Sequence, residues 1–195
     1  MSLYHSEKQW ADFWMIRVGW EPSWAARRIA ETCDRSALIA DIGGGHGRDS
    51  LWLGAKGFKV VLLEPNPYSL KTALHKANET GVGIELARCA LPSLPARDGC
   101  FAAVGFNWGL HSYPDEEKLA ALLEIKRVTA PGGLLFSVSF RSWSGHVVPP
   151  TIHLTPGKED FIAWHEKAGF SIMKVTEMTD ETYTFEKSWC GEFAA

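Results

Sequence analysis

No apolar run in the chain approaches the roughly 20 residues that cross a bilayer. The opening stretch, MSLYHSEKQWADFW, holds no extended apolar segment of the signal-peptide kind. A soluble, cytoplasmic protein with no membrane partner is expected. Basic charge is not gathered anywhere: 20 Lys and Arg face 23 Asp and Glu, for a net charge of −3. Without a basic tract to neutralise phosphates, nucleic acid is not the expected partner. Cysteine is sparse too. Cys33, Cys89, Cys100 and Cys190 are scattered, and no two have metal-site or redox spacing. They read as buried thiols among apolar neighbours. His146 and His153 sit in an expected loop at a spacing that makes poor ligands, so no metal site is expected. Repeats, linkers and low-complexity tracts are also absent, so the 195 residues make one domain, long enough to bury a substantial core.

What the chain does have is tryptophan, nine residues of it, and a regular alternation of short apolar runs with amphipathic ones. Residues 10–18 and 24–33 are expected as helices, with Pro22 suited to an early helical position. Strands are expected at 38–42, 58–63, 84–87 and 101–106. Helices are expected at 49–56, 68–79 and 116–128, the first two stopped by Gly57 and Gly81. Two prolines make 90–99 a loop. Pro131-Gly132-Gly133 reads as a sharp turn into a strand at 134–140. Beyond it come a loop at 141–155, a helix at 159–168, and last strands at 172–175 and 183–185. The strands are apolar on both faces. That is the pattern of an α/β fold with a buried, mostly parallel sheet and helices on both sides. In such sheets ligands sit beyond the carboxyl ends of the strands.

One of those ends carries the strongest local signal: Asp41-Ile42-Gly43-Gly44-Gly45-His46-Gly47-Arg48-Asp49. Glycines 43, 45 and 47 can take positive φ or admit a ligand to the backbone. A nicotinamide fingerprint would want glycine where Arg48 stands, and a phosphate-binding P-loop would need Gly-Lys-Ser/Thr. Both nucleotide classes weaken here. Glu64 ends the next strand, where a carboxylate can accept both hydroxyls of a ribose.

These residues resemble the class I S-adenosylmethionine-dependent methyltransferases. Asp41-x-Gly43-x-Gly45-x-Gly47 with Glu64 carries the likeness. Gly47-Arg48-Asp49-Ser50-Leu51-Trp52-Leu53 resembles the small-molecule, type 11/25-like members. Asn107-Trp108-Gly109-Leu110-His111, Pro131-Gly132-Gly133-Leu134-Leu135 and Gly169-Phe170 follow in the family's order, and the resemblance covers about residues 36–188. It implies a Rossmann-like sheet of seven strands, mostly parallel with the last antiparallel. Helices would lie on both faces, with a short helical cap at 1–35 before a cofactor-binding core at 36–190. It implies S-adenosyl-L-methionine as cofactor. Gly43, Gly44, Gly45 and Gly47 would lie against its methionine and ribose parts, and Asp41 would face the amino group. Glu64 would hold the ribose hydroxyls, with Pro65 and Asn66 flanking the adenine. Asn107 and Trp108 would line the other side. Cys89 and Ala90 stand where family members often carry an Asp that reads the adenine, so this chain departs from the pattern there. The cap, with Tyr4, His5, Trp10, Phe13, Trp14, Trp20 and Trp24, would enclose the acceptor.

Methyl transfer from a sulfonium releases a neutral leaving group, so the protein mainly positions the reactants in a dry pocket. His111 is the candidate base or acceptor-orienting group, and Arg141 the candidate anchor of an anionic acceptor. Trp143 and His146 share the Arg141 loop. His46 is read as positional. The expected acceptor is a small molecule, aromatic or anionic, and the expected protein a monomer or homodimer. The Asn-Pro-Pro-Tyr/Phe signature of nucleic-acid amino methylation is missing. Two other readings stay open: a protein or RNA methyltransferase with a partner subunit, and a noncatalytic cofactor-binding protein.

Overall fold

The computed structural model describes residues 7–141, 153, 157–180 and 186–195. The chain opens with α1 (Glu7–Val18) and α2 (Trp24–Thr32), then alternates β1 (Leu38–Ile42), α3 (Arg48–Ala55), β2 (Lys59–Glu64), α4 (Pro67–Thr80), β3 (Glu85–Arg88) and β4 (Phe101–Asn107). A single 3₁₀ turn, Leu110–Ser112, leads into α5 (Asp115–Val128), β5 (Thr129–Phe140), α6 (Lys158–Lys167), β6 (Ser171–Asp180) and β7 (Glu186–Ala194). The seven strands form one sheet in the order β3-β2-β1-β4-β5-β7-β6. β7 runs antiparallel to both neighbours, and the other pairings are parallel. The seven-stranded Rossmann-like architecture is therefore as expected.

Two apolar layers hold the sheet. On one face Ala25, Ala26 and Ile29 of α2 and Leu53 of α3 pack on Ile39, Val60 and Phe136. On the other, Leu122 and Ile125 of α5 and Phe161 of α6 pack on Ala40, Ile42 and Val104. Helix ends follow local chemistry. Asn66 caps α4 by accepting from Tyr68 N at 2.9 Å, Pro67 takes the first helical position, and left-handed Gly81 closes the helix. α5 carries Asp115, Glu116 and Glu117 in its first turn and Lys126 and Arg127 in its last, matching the helix dipole.

Three local expectations are corrected. Pro22 lies before α2, and Ser23 is its cap, accepting from Ala26 N at 3.1 Å. β5 starts at Thr129, so Pro131-Gly132-Gly133 lies inside the strand as an irregularity. Pairing with β4 jumps there from Phe101↔Thr129 to Ala103↔Leu134. The last described strand begins at Glu186, whereas the expected 183–185 segment lies outside the described residues. β7 is paired on both edges, and its Trp189, Cys190 and Phe193 are buried. The cysteines make no disulfide among the described residues, and only Cys190 is fully buried.

His165 of α6 is fully buried, with Nδ1 2.7 Å from Phe161 O and its ring stacked on Phe193 at 4.0 Å. Burial pushes its pKa down to about 4. The folded state thus resists a proton that the unfolded chain takes up near the ordinary value of about 6.5. This contribution to stability is complete above that value and is lost as pH falls toward 4. Between pH 7.5 and 5, urea denaturation of the wild type should lose about 1–2 kcal/mol more than that of His165→Phe. Equal losses would remove His165 as the source.

Candidate functional site

Residues beyond the carboxyl ends of β1, β2 and β4 converge on one cavity of about 290 Å³. Its floor is the turn from β1 into α3. Gly43, Gly45 and Gly47 all have positive φ there. At Gly44 the constraint is space: a Cβ would stand 2.3 Å from Leu62 Cδ1 and 2.5 Å from Asp41 Oδ2. Beside Gly43 and Gly45 a Cβ would meet nothing within 4 Å, so the backbone there is open to an incoming group. Gly47 does not line the cavity. Its place is set by packing, because a Cβ would lie 2.9 Å from Ala73 of α4.

Asp41, at the end of β1, is buried and accepts from Ser50 Oγ at 2.7 Å. Its pKa is pushed up to about 7, first by burial and then by the charge of Asp49, with Ser50 and Arg48 opposing. Glu64 is the second carboxylate. Its Oε2 accepts from Gly45 N at 2.9 Å and its Oε1 from Asn66 N at 2.8 Å. Burial raises its pKa, and the two N–H donors counteract that. Pro65 lines the cavity beside it. Asn66 does not. It caps α4, and its Nδ2 donates to Glu7 O of α1 at 2.8 Å.

After β3 the wall is Cys89, Ala90, Leu91 and Leu94. No carboxylate from that segment reaches the cavity. The opposite wall comes from β4 and the turn after it: Phe106, Asn107, Trp108, His111 and Tyr113. Trp108 is the only non-glycine residue with positive φ among the described residues, at 53°. Its N donates to Val138 O at 2.9 Å, its Nε1 to Ser188 Oγ at 3.3 Å, and its ring stacks on Phe140 at 5.7 Å. An outlier held from several sides belongs to the class of strained residues that cluster at working sites.

His111 is buried in the same wall, its ring 4.4 Å from that of Phe140. Burial, then the charges of Lys118 and His153, push its pKa down to about 3. It is a neutral imidazole near neutrality and a weak base. His46 lines the cavity, with Nε2 3.1 Å from Gly19 O and Trp20 edge-on at 4.8 Å, so it joins the glycine loop to the N-terminal helices. Trp20 is 44% exposed. Ala11 is what α1 adds to the lining. Tyr4 and His5, and the side chains of Trp10, Phe13 and Trp14, lie outside the described residues.

Arg141 departs from expectation. Its guanidinium pairs with Glu177 of β6 at 2.5 Å and lies over Trp189 at 5.3 Å, away from the cavity lining. Trp143 and His146 lie outside the described residues. The arginine at the cavity wall is Arg48, paired with Asp49. Both belong to the glycine motif quoted above but carry no assigned role in it, and Tyr113 has no motif of its own. The available signal was position, since the first turn of a helix after a glycine loop faces the ligand side. Among the described residues no cluster of three His, Cys, Asp or Glu is placed to hold a metal. No helix among them is long and apolar enough to cross a membrane.

Comparison with known proteins follows the same lines. The demethylmenaquinone methyltransferase of Thermus thermophilus is 32% identical over 129 residues, which cover 65% of this chain and 58% of that protein. A ubiquinone/menaquinone biosynthesis C-methyltransferase of Cronobacter sakazakii is 27% identical over 180 residues, covering 74% and 70%. Burkholderia thailandensis 1,6-didemethyltoxoflavin-N1-methyltransferase, solved with 1,6-didemethyltoxoflavin and S-adenosylhomocysteine bound, shares the fold with a TM-score of 0.75 at 17% identity. That match covers 97% of this chain and 83% of that one. Residues 39–133 match a family model described as a methyltransferase domain. The matched segment holds both the glycine loop and Glu64, so over this part of the chain the likeness is to methyltransferase domains.

Proposed function

We propose that this protein transfers a methyl group from S-adenosylmethionine to a small-molecule acceptor in the cytoplasm, as a monomer or homodimer. One observation carries the reading: a buried Glu64, locked by Gly45 N–H and Asn66 N–H, beside a glycine turn whose backbone is open to the cavity. Each carboxylate oxygen uses one acceptor position on the backbone and keeps capacity for a ribose hydroxyl. The donor set suits a cation as well, since Asp41 and Glu64 both carry acidic oxygens into the cavity. When bound, the cofactor supplies a methyl group activated by a sulfonium.

The chain's own residues do the rest. Glu64 binds the ribose, and Pro65, Cys89, Ala90 and Leu91 face the adenine. With no carboxylate after β3, adenine is held by backbone and apolar contact. Asp41, fixed by Ser50, faces the amino group. Asn107 and Trp108 close the methionine side. Phe106, Trp108 and Tyr113 give the acceptor a stiff aromatic wall that excludes water, which supports a ring-bearing acceptor. His111, held neutral, orients the acceptor by hydrogen bonding and does not remove a proton.

Calorimetry should detect S-adenosylmethionine binding to the wild type, and Glu64→Ala should weaken it by about tenfold or more, near 1.4 kcal/mol. No binding at millimolar ligand would sink the cofactor reading. Replacement of His111 by Gln should lower turnover by about tenfold while S-adenosylhomocysteine affinity stays within about threefold. Equal losses in both would leave His111 a purely structural role. The wild-type rate should also show no titration from His111 between about pH 5 and 8, because its pKa lies far below that window.

A further inference from the structure

The polar side chains that line the cavity divide by whether the protein already uses them. Asp41 accepts from Ser50, His46 meets Gly19 O, Arg48 pairs with Asp49, and Glu64 holds two backbone N–H groups. Tyr113 belongs to the other group. It lines the cavity, and its hydroxyl has no hydrogen-bond partner among the described residues.

Local sequence explains how it gets there. Its N–H donates to Leu110 O at 3.3 Å and closes the 3₁₀ turn. Pro114 follows as the cap of α5, and a residue before proline is driven to extended backbone. Tyr113 accordingly has φ −112° and ψ 135°. His111, inside the turn, is buried, whereas Tyr113, just past it, is half-buried at the cavity face.

The phenol is directed at one end of the cavity. Burial, then the charge of Glu64, then that of Glu117 push its pKa up to about 12. From the opposite wall, burial and then the same Glu64 charge raise the Cys89 thiol. His111 answers instead to burial and to the charges of Lys118 and His153. Tyr113 and Glu64 line one cavity without a hydrogen bond between them, which leaves room for a small polar group in between. Glu64 offers that group only acceptors, and Tyr113, protonated near neutrality, offers it a donor. A ribose hydroxyl has the complementary chemistry: it gives its hydrogen to a carboxylate and accepts another on its oxygen.

We propose that Tyr113 is a second cofactor-binding side chain at the ribose, its Oη–H donating to the oxygen of the hydroxyl whose hydrogen Glu64 accepts. The ring stays part of the aromatic wall, and the hydroxyl serves the cofactor. The inference rests on the methyltransferase reading above and deepens it. It gives the cofactor a polar contact from the β4 side, opposite a β3 side that brings no carboxylate to the cavity. A purely apolar wall would be served as well by phenylalanine, and that difference can be measured.

The test compares three ligands by calorimetry, with competition titration for the weaker ones: S-adenosylhomocysteine and its 2′-deoxy and 3′-deoxy forms. Tyr113→Phe keeps the ring and removes only the oxygen. It should weaken S-adenosylhomocysteine by about three- to tenfold. One deoxy form lacks the hydroxyl that Tyr113 and Glu64 share. For that form the wild type and Tyr113→Phe should bind within about twofold of each other, because the contact is already gone. For the other form the loss seen with the parent ligand should persist. A variant that binds the parent ligand as tightly as the wild type overturns the proposal. An equal loss across all three ligands also overturns it, since the hydroxyl would then act away from the ribose. Failure of the wild type to bind S-adenosylhomocysteine at millimolar concentration overturns the methyltransferase reading itself, and this inference with it.

Discussion

A single carboxylate joins three parts of the molecule. Glu64 accepts from the glycine turn on one oxygen and from the β2–α4 turn on the other. Through Asn66 the second contact reaches further, because that side chain caps α4 and donates to the first residue of α1. Burial alone would drive such a group to its neutral form, and two backbone N–H donors hold it toward the charged one. These bonds are shorter and stronger than neutral ones. They keep the glycine turn at a fixed distance from the neighbouring strand end. The geometry of the glycine turn, the seat of α1 and the start of α4 therefore share one origin. His46, reaching Gly19 O from the same glycine turn, anchors the other end of α1.

Asp41 occupies the same cavity under different rules. It has a hydroxyl donor from Ser50 where Glu64 has two N–H groups, and the negative charge of Asp49 bears on it. Its proton affinity rises to near neutrality in consequence. Two acids in one pocket are thus set to different duties by their partners, one kept ready as an acceptor and one poised between states.

What the sequence reveals is what neighbouring residues determine. The glycine turn is legible because its requirements are local: positive φ at 43, 45 and 47, and an acid at the end of the following strand. Asp41, Glu64, Pro65, Cys89, Ala90, Asn107, Trp108 and His111 all fall at strand ends, and topology brings them to one cavity. Arg141 is equally close to a strand end, yet its guanidinium lies over Trp189 of β7 and pairs with Glu177 on β6, the strand beyond. No local pattern announces that pairing. Arg48 and Asp49 stand in the glycine motif, but their place at the cavity wall is hidden for the converse reason. Both look like ordinary surface charges at a helix start, and their burial depends on Ser23 and Trp108 arriving from elsewhere. Of the tryptophans, Trp108 turns out to be the strained member of the wall and Trp20 half-exposed beside His46. Residue type alone distinguished neither.

The placing of β7 has a consequence for how the chain acquires its structure. β1 to β5 pair with one another in the first part of the chain, in parallel units that their own helices can close. Among the described residues, β6 pairs with none of that group. It joins only through β7, which pairs with β5 on one edge and β6 on the other. During synthesis, then, β6 emerges before the strand it pairs with, and the exposed edge of β5 waits with it. The last strand in chain order acts as a keystone between two halves made at different times. A chain released before β7 is complete would keep the glycine turn beside an open sheet edge, a state prone to pair with its own kind.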